Sequence, residues 1–337
     1  MGKVVIIAEA GVNHNGNYDL ARKLVIAAKD AGADYVKFQT ARPERVISRY
    51  APKAEYQLGT TKKEESQLDM CRAIHLPLTD YKPLKDFCDE IGIKFLSTPF
   101  DLESIDVLEA LDMDYYKIPS GEITNLPYLQ KIARLGRPVI MSTGMSGLGD
   151  IEAALGVLTK EGLGLEQITL LHCNTEYPTP YVDVNLRAMQ TLSDCFGVKT
   201  GYSDHTKGIE VSLAAVALGA VVIEKHFTLD KTLKGNDHYH AGDPEDFKKA
   251  ISNFKWIDEI LGSGIKTVLE CERVPRREAR RSLVLTRNMK MGEVINKEDL
   301  MPKRPGTGIS PKYSEIVIGR KVVRDLKEDT ILQWDMI

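Results

Sequence analysis

The stretch VKTGYSDHTKGIEVSLAAVALGAVVIEKHF (198–227) contains one complete repeat of the pattern that decides the fold. A short run, VKTGYSD (198–204), is followed by a segment with helical periodicity, GIEVSLAAVALGA (208–220), and by a second run, VVIEKHF (221–227). Nearly continuous apolar strands that alternate with amphipathic helices are typical of a parallel sheet covered by helices. The stretch therefore predicts a β-α-β unit whose two strands end in polar residues.

The same alternation extends along most of the chain. Six further strand-like runs precede this unit: VVIIAEAG (4–11), YVKFQT (35–40), KFLSTPF (94–100), YYKIPSGE (115–122), PVIMSTG (138–144) and ITLLHCN (168–174). Helical periodicity separates them, as in YDLARKLVIAAKDAGA (18–33) and DIEAALGVLTKEGLG (150–164). Eight such units in about 260 residues match a (β/α)8 TIM barrel in count and length, so we predict this α/β fold.

Two regions depart from the repeat. Residues 41–93 are too many for one helix, and the polar segment ARPERVISRYAPKAEYQLGTTKKEESQ (41–67) predicts an active-site loop or lid, with a disordered insertion as the alternative. After a helix predicted at 244–261, short alternating stretches with Gly and Pro turns predict a second, β-rich domain. We expect a barrel domain over 1–265, a linker over 266–281 and the small domain over 282–337.

Charge and composition exclude several classes of protein. The formal net charge of −3 gives no reason to expect a membrane surface or nucleic acid as partner. The arginine-rich stretch RVPRREARRS (273–282) has no interleaved aromatic residues and is predicted to be a solvated linker face. Five cysteines without CxxC spacing predict reduced thiols. No segment approaches the roughly 20 apolar residues of a membrane span, so we expect a soluble, cytoplasmic protein.

Polar side chains stand at the ends of all the predicted barrel strands, where the active sites of this barrel class lie. A purely structural barrel does not need ionisable groups there, so they predict a polar site. In chain order the candidates are Glu9, Asn13, His14, Lys37, Gln39, Ser97, Thr98, Lys117, Ser120, Glu122, Ser142, Thr143, His172, Asn174, Tyr177, Ser203, Asp204, His205, Glu224, Lys225 and His226.

Lysines and hydroxyl groups among these candidates favour an anionic ligand. Lys37 and Lys117 lie within predicted strands, where a lysine without a function would point to solvent. Together with Ser120, Ser142 and Ser203 they could supply the cations and hydroxyl donors that bind an oxyanion such as phosphate.

Two histidines, His205 and His226, end neighbouring predicted strands. Imidazoles beside carboxylates suit a divalent ion such as Mn²⁺, Zn²⁺ or Fe²⁺, and a hydrogen-bonded structural role is the alternative. Asp204 either orients His205 or caps the helix that follows.

The loop GNDHYHAGD (235–243) adds three further polar groups. We predict Asp237 as a substrate or acid/base contact. The pair His238 and His240 has the HxH spacing of some metal sites, but its position in a Gly- and Asp-rich loop favours loop residues.

Nine motifs, in order over almost the whole chain, resemble those of the sialic acid synthase family. They are AEAGVNHNG (8–16), VKFQT (36–40), LSTPFD (96–101), KIPSGEITNLPYL (117–129), STGM (142–145), LHCNTEYPTP (171–180), GYSDHT (201–206), EKHFTLD (224–230) and KRPGTGISP (303–311). The resemblance implies a metal-dependent barrel followed by an antifreeze-like (SAF, β-clip) domain. It implies condensation of phosphoenolpyruvate with an N-acetylated amino sugar and water, giving a nine-carbon acid and phosphate by C–O cleavage. It also implies a domain-swapped homodimer, in which one subunit's small domain covers the other's barrel mouth.

The resemblance assigns roles to individual residues. His205 and His226 are the implied metal ligands, for Mn²⁺ first, with Mg²⁺ and Co²⁺ as alternatives. The implied catalytic residues are Glu9, Lys37, Lys117, Glu122, Glu224 and Asp237. The implied substrate-binding residues are Thr98, Ser120, Ser142, Asn174, Tyr177, Ser203 and, from the small domain, Arg304. The 16 lysines and arginines against 11 acidic residues in 265–337 independently fit a lid over an anionic site.

Two questions remain open from the sequence. After GNDH the family's usual stretch reads like SLEP, whereas this chain has YHAGDP (239–244). The acceptor is therefore either N-acetylmannosamine or 2,4-diacetamido-2,4,6-trideoxymannose. The rival activity is a Schiff-base pyruvate aldolase that uses Lys117 or Lys37 as nucleophile, and the non-enzymatic rival is a carbohydrate- or ice-binding module on a degenerate barrel.

Overall fold

A computed structural model describes residues 4–52, 66–235 and 237–337, together with all of their side chains except that of Asp258. The chain separates into two compact units, Met1–Gly262 and Ser263–Ile337, which are described separately. The domain boundaries expected from the sequence, with a linker over 266–281, stay a prediction.

The first unit is built around a barrel of parallel strands. Their bounds are β1 Val5–Gly11, β2 Tyr35–Thr40, β3 Lys94–Pro99, β4 Tyr116–Ile118, β5 Val139–Ser142, β6 Ile168–His172, β7 Lys199–Asp204 and β8 Val222–His226. Hydrogen-bonded neighbours follow the order β4 to β8, then β1, β2 and β3. Strands β3 and β4 lie side by side and nearly close the barrel. The predicted (β/α)8 barrel is confirmed.

Helices follow the strands and cover the outside of the barrel. Their bounds are α1 Tyr18–Ala31, α2 Pro43–Val46, α3 Gln67–Ile74, α4 Tyr81–Ile91, α5 Leu102–Glu109, α6 Leu126–Arg134, α7 Leu148–Lys160, α8 Ala188–Phe196, α9 Glu210–Ala217 and α10 Pro244–Leu261. Helix α1 shows how local sequence sets these bounds. The Asn17 side chain accepts a hydrogen bond from the Leu20 amide at its start, and Gly32 adopts φ 91° at its end.

The strand register places chemically important residues beside one another. Glu9 on β1 is paired with Lys37 on β2 and with His226 on β8. Ser203 on β7 is paired with Glu224 on β8. Because parallel strands bring their carboxyl ends to the same rim, these pairings gather the polar residues of separate motifs.

The turn from β7 into α9 answers the question about Asp204. Its carboxylate accepts hydrogen bonds from the Thr206 amide at 2.9 Å and from the Ser212 hydroxyl at 2.5 Å. It also lies 3.1 Å from the Lys225 ammonium. Asp204 therefore fixes the strand-to-helix turn that carries His205, and the described hydrogen bonds of its carboxylate go to that turn and helix.

The long insertion after β2 is described in part. It contributes α2 and α3, and Arg72 of α3 pairs with Glu44 of α2 at 2.6 Å. Residues 53–65, the middle of the segment expected to form a lid, lie outside the described residues. The lid stays a prediction.

The second unit has its own apolar core. Strand β9 Ser282–Leu285 pairs antiparallel with β10 Leu300–Lys303, and two short helices are α11 Arg273–Ala279 and α12 Ser314–Val317. Its buried residues include Leu283, Leu285, Met289, Ile295, Ile309, Val317, Val322, Leu326 and Leu332. Within the described parts of the chain, no helix is long and apolar enough to cross a membrane.

Gly201 tests the packing between β7 and its neighbours. A Cβ added at Gly201 would lie 2.4 Å from the Val222 carbonyl oxygen and 2.8 Å from Leu171 Cδ2. We expect Gly201→Ala to lower the free energy of unfolding by about 1–3 kcal/mol, because neither the backbone nor the packed leucine can move away without strain. Urea denaturation of the full chain measures the change.

The matched control is Gly149→Ala in α7, where an added Cβ meets nothing within 4 Å. That substitution should leave the protein equally stable or raise its stability by up to about 1 kcal/mol, since alanine favours a helix. Equal stability of Gly201→Ala and wild type would contradict the packing described here.

Candidate active site

Two glutamates and two lysines form the centre of the site. Glu9, Lys37, Lys117 and Glu224 come from β1, β2, β4 and β8, and the exposed fraction of each residue is 5% or less. A buried charge is unfavourable unless it is paired and hydrogen-bonded. The four groups carry balanced formal charges, so the site can exist inside the barrel only as a network.

Lys37 joins the two carboxylates. Its Nζ lies 2.6 Å from Glu9 Oε2 and 3.7 Å from Glu224 Oε1, and it donates a hydrogen bond to Thr98 Oγ1 at 2.8 Å. Gln39 donates a further hydrogen bond to Glu9 Oε1 at 3.0 Å. The lysine and the first carboxylate are thereby fixed in one orientation.

Lys117 contacts the other side of Glu224. Its Nζ lies 3.7 Å from Glu224 Oε1 and donates a hydrogen bond to Ser142 Oγ at 2.7 Å. The Ser203 hydroxyl donates to the same Glu224 oxygen at 3.3 Å. Two ammonium groups and the Ser203 hydroxyl therefore contact one carboxylate oxygen, and Thr98 and Ser142 each accept a hydrogen bond from one of the ammonium groups. This is the donor set that an incoming phosphate or carboxylate also requires.

Burial and pairing shift the pKa values of these groups in different directions. Desolvation raises the pKa of Glu9 to about 7, with the Lys37 charge opposing the shift and the Glu224 charge reinforcing it. The pKa of Lys117 is lowered, mainly by burial. For Lys37, burial is outweighed by Glu224 and Glu9, so its pKa is raised. Glu224 is also desolvated, yet the two lysines hold its pKa below the usual value. Glu9 is thus the carboxyl group poised to exchange a proton near neutral pH.

A cluster of aromatic rings borders this network. The ring centroid of Tyr177 lies 4.4 Å from that of His205, 5.7 Å from that of His226 and 5.3 Å from that of His240. His205 and His226 have centroids 5.4 Å apart, so the two predicted metal ligands are neighbours. His205 Nδ1 contacts the Asn174 carbonyl oxygen, and Nε2, the nitrogen that could bind a metal ion, lies 3.5 Å from Ser203 Oγ.

A second group, which shares His226 with the predicted pair, could also hold a divalent ion. His226, Asp237 and His240 each offer a ligand atom, and these atoms lie within 4.8 Å of one another. His226 Nδ1 and His240 Nε2 are buried and have no hydrogen-bond partner among the described residues. Burial lowers the pKa of His226 well below its usual value and keeps the imidazole neutral, as metal ligation requires. Imidazole nitrogens with a carboxylate suit Mn²⁺, Fe²⁺, Co²⁺ or Zn²⁺.

The remaining predicted residues differ in how they relate to this centre. Ser120 Oγ accepts a hydrogen bond from the Gly144 amide at 2.9 Å, so it holds the turn after β5. Asn174 donates from Nδ2 to the Asp183 carbonyl at 2.8 Å. Glu122 accepts from Asn125 at 2.5 Å, and its described hydrogen bonds do not connect it to the network. Its catalytic role stays a prediction, as do the roles of the other predicted site residues.

His238 and His240, both predicted to be loop residues, lie in the loop that follows β8, but their contacts differ. His238 contacts Thr228 Oγ1 at 2.6 Å and Asn15 Nδ2 at 3.3 Å, whereas His240 Nε2 has no hydrogen-bond partner among the described residues. The HxH spacing was the available signal, and spacing alone could not show which of the two rings points toward His226.

Arg304 lies in the second unit, where it is exposed.

Fold and site together define a barrel enzyme with a buried, charge-balanced centre at the carboxyl ends of its strands. A family model described as NeuB family matches residues 24–266, and one for the SAF domain matches residues 280–337. The chain belongs to the NeuB family, and its C-terminal part is a SAF domain. The resemblance to sialic acid synthases, and the expectation of a transferase of that type, are confirmed.

Similar proteins share the arrangement over nearly their full length. The chain is 50% identical to the N,N'-diacetyllegionaminic acid synthase of Campylobacter jejuni over 333 residues, which cover 99% of this chain and 100% of that one. It is 46% identical to the protein of the same name in Legionella pneumophila, over 98% and 94% of the two chains. A crystal structure of N-acetylneuraminic acid synthetase from Leptospira borgpetersenii, in complex with citrate, matches with a TM-score of 0.72, 34% identity, and 81% and 90% coverage.

The pKa of Glu9 can be measured directly. In infrared difference spectra of wild type against Glu9→Gln, a protonated carboxyl band should be present near pH 6 and disappear as the pH rises through about 7, because desolvation favours the neutral acid. The control is Glu161→Gln, since Arg134 holds the pKa of Glu161 below its usual value. Loss of the Glu9 band already at about pH 4.3, the value of an exposed glutamate, would contradict this description.

Proposed function

We propose that the chain condenses phosphoenolpyruvate with 2,4-diacetamido-2,4,6-trideoxymannose and water to give N,N'-diacetyllegionaminic acid and phosphate. The observation that carries the proposal is the pair of buried lysines and their hydroxyl partners, adjacent to a His/Asp cluster suited to a metal ion. The two relatives named as N,N'-diacetyllegionaminic acid synthases support this acceptor over N-acetylmannosamine, at 50% and 46% identity.

Lys37 and Lys117 bind the phosphate and carboxylate of phosphoenolpyruvate. Both ammonium groups are buried and already contact a carboxylate and a hydroxyl. Water has therefore been removed from them before an anionic substrate binds. Thr98 and Ser142 orient these donors by accepting hydrogen bonds from them, and Ser203 donates to the Glu224 carboxylate that both lysines contact. Holding the enol phosphate in one position lets its C3 approach the aldehyde carbon of the open-chain sugar, a positioning contribution to the rate.

Glu9 moves the proton of the attacking water. Bond formation at C3 of phosphoenolpyruvate leaves positive character at C2, and water adds there while its proton passes to the carboxylate. Because the pKa of Glu9 is about 7, the group can accept this proton and later return it. The resulting hemiketal phosphate loses phosphate with cleavage of the C–O bond, which leaves the ketone of the product.

A divalent ion would be held by His205 and His226, with the Asp237 carboxylate 3.6 Å from His226 Nδ1, and Mn²⁺ is the ion that we propose. When bound, the ion would act as a Lewis acid toward the aldehyde oxygen of the sugar. The buried Nδ1 of His226, which has no hydrogen-bond partner among the described residues, supports this assignment. Tyr177 packs against the three histidine rings and excludes water from their inner face.

A labelling experiment tests the reaction and its bond cleavage. With phosphoenolpyruvate carrying ¹⁸O in the bridging position, C–O cleavage places the label in the released phosphate, whereas P–O cleavage leaves it in the sugar acid. We expect labelled phosphate with the diacetamido sugar, slower turnover with N-acetylmannosamine, and a loss of at least about 100-fold in rate after chelation, restored by Mn²⁺.

Two results would contradict the proposal. Activity that survives chelation but is abolished by borohydride with pyruvate would support the Schiff-base aldolase through Lys117 or Lys37. Absence of phosphate release with every N-acylated sugar would support a binding module. A third result, unlabelled phosphate released by an active enzyme, would overturn the proposed C–O cleavage and leave the rest of the proposal intact.

We further propose that Arg304 acts on the barrel of a partner subunit in a domain-swapped homodimer. The support is the family resemblance at KRPG (303–306) and the basic balance of the SAF region. Arg304→Ala should raise KM for the sugar by about 10-fold or more, since a charge-assisted hydrogen bond is lost.

Mixed dimers distinguish a swapped from an unswapped arrangement. The Arg304→Ala and Glu9→Gln variants are each expected to have low activity as homodimers. The two variants are then mixed so that their subunits exchange and form heterodimers. In a swapped dimer one site of each heterodimer combines an intact barrel with an intact Arg304, so about a quarter of wild-type activity should return. An unswapped dimer leaves every site with one defect, and the mixture then gains nothing.

A further inference from the structure

We infer that His240 is a direct ligand of the divalent ion, in addition to the histidines that the motifs predict. The inference deepens the proposed function and rests on its metal dependence. It concerns the loop 237–243, which follows β8.

The loop is held against the end of β8 by backbone pairing. Gly242 donates from its amide to the His226 carbonyl at 2.8 Å, and its own carbonyl accepts from the Thr228 amide at 3.0 Å. A Cβ at Gly242 would lie 2.9 Å from the Phe247 ring, so the close approach requires glycine. This pairing fixes the position of His240, two residues earlier, beside His226.

The two histidines of the HxH pair have different surroundings. Both ring nitrogens of His238 have hydrogen-bond partners, Thr228 and Asn15. His240 is 3% exposed, and its Nε2 has no hydrogen-bond partner among the residues described. A buried polar atom without a partner costs about 1–3 kcal/mol. The described loop contacts therefore account for both ring nitrogens of His238 but not for the buried Nε2 of His240.

Asp237 lies between the two unpartnered nitrogens. Its Oδ1 is 3.7 Å from His240 Nε2 and its Oδ2 is 3.6 Å from His226 Nδ1. Both distances are too long for hydrogen bonds. Ligands bound about 2.0–2.2 Å from one ion are themselves separated by roughly 3–4 Å, which is the spacing between Asp237 and each histidine nitrogen. A single divalent cation would satisfy both nitrogens and the carboxylate at once.

The ring contacts support the same orientation. The centroids of His226 and His240 are 5.0 Å apart at an interplanar angle of 66°, so the rings do not stack on each other. Tyr239 packs edge-on against His240 at 5.1 Å and bonds through its hydroxyl to the Tyr177 carbonyl. The imidazole of His240 is thereby packed between described aromatic neighbours, with Tyr177 at 5.3 Å as a further contact.

The experiment measures metal affinity without turnover. Full-length chains freed of metal by chelation are titrated with Mn²⁺ by calorimetry and with Co²⁺ by visible absorption. His240→Phe keeps an aromatic ring and His240→Gln keeps a polar side chain; both should weaken binding by about 10-fold or more and alter the Co²⁺ spectrum. His238→Gln is the matched control and should bind within about threefold of wild type. Circular dichroism and melting without metal verify that each variant is folded.

The outcomes separate this inference from the proposed function. If wild type binds Mn²⁺ and the His240 variants bind it equally well, His240 is not a ligand, although the metal-dependent synthase stands. Unchanged metal affinity with a raised sugar KM would make His240 a substrate contact and would also overturn the inference. If wild type binds no ion, the metal dependence of the proposed function fails as well.

An anomalous-difference map of wild-type crystals grown with Mn²⁺ answers the question without any variant. An ion about 2.2 Å from His240 Nε2 supports the inference. An ion that is bound by His205 and His226 and lies beyond bonding distance of His240 overturns it.

Discussion

The carboxylate of Glu224 is the group on which the arrangement of the site depends. One of its oxygens lies 3.7 Å from Lys37 Nζ and 3.7 Å from Lys117 Nζ, and it accepts a hydrogen bond from Ser203. Without this negative charge two buried ammonium groups would face each other in a low-dielectric interior, which is strongly unfavourable. Glu224 therefore allows two cations to be positioned close together before an anionic substrate arrives.

The second carboxylate has a different task because its surroundings differ. Glu9 is desolvated as fully as Glu224, but its neighbours include one lysine and the other carboxylate. Its pKa rises to about 7 while that of Glu224 stays low. Two glutamates in one network thus differ in pKa, with Glu224 held as a charged counter-ion and Glu9 near the point of exchanging a proton at neutral pH. The parallel register that pairs Glu9 with Lys37 produces this difference.

Much of the site could be predicted from strand ends alone. Because successive strands of a barrel bring their carboxyl ends to one rim, polar residues at those ends converge whatever their distance in sequence. This reasoning gave Glu9, Lys37, Lys117 and Glu224 before any distance was known. It does not extend to His240, whose position depends on how a loop folds back onto β8 through Gly242. Loop geometry of this kind has no periodic signal in the sequence.

The sequence by itself determined the barrel, the identity of its rim residues and the family, because strand and helix periodicities and long motifs are local properties of the chain. Only the tertiary structure decided which rim residues contact one another and how burial shifts their pKa values. Asp204 belongs to the β7–α9 turn, Glu9 titrates near neutrality, and His240 faces Asp237 where His238 does not. Those distinctions arise from burial and from distances of a few ångströms between residues far apart in sequence, and no local pattern encodes them.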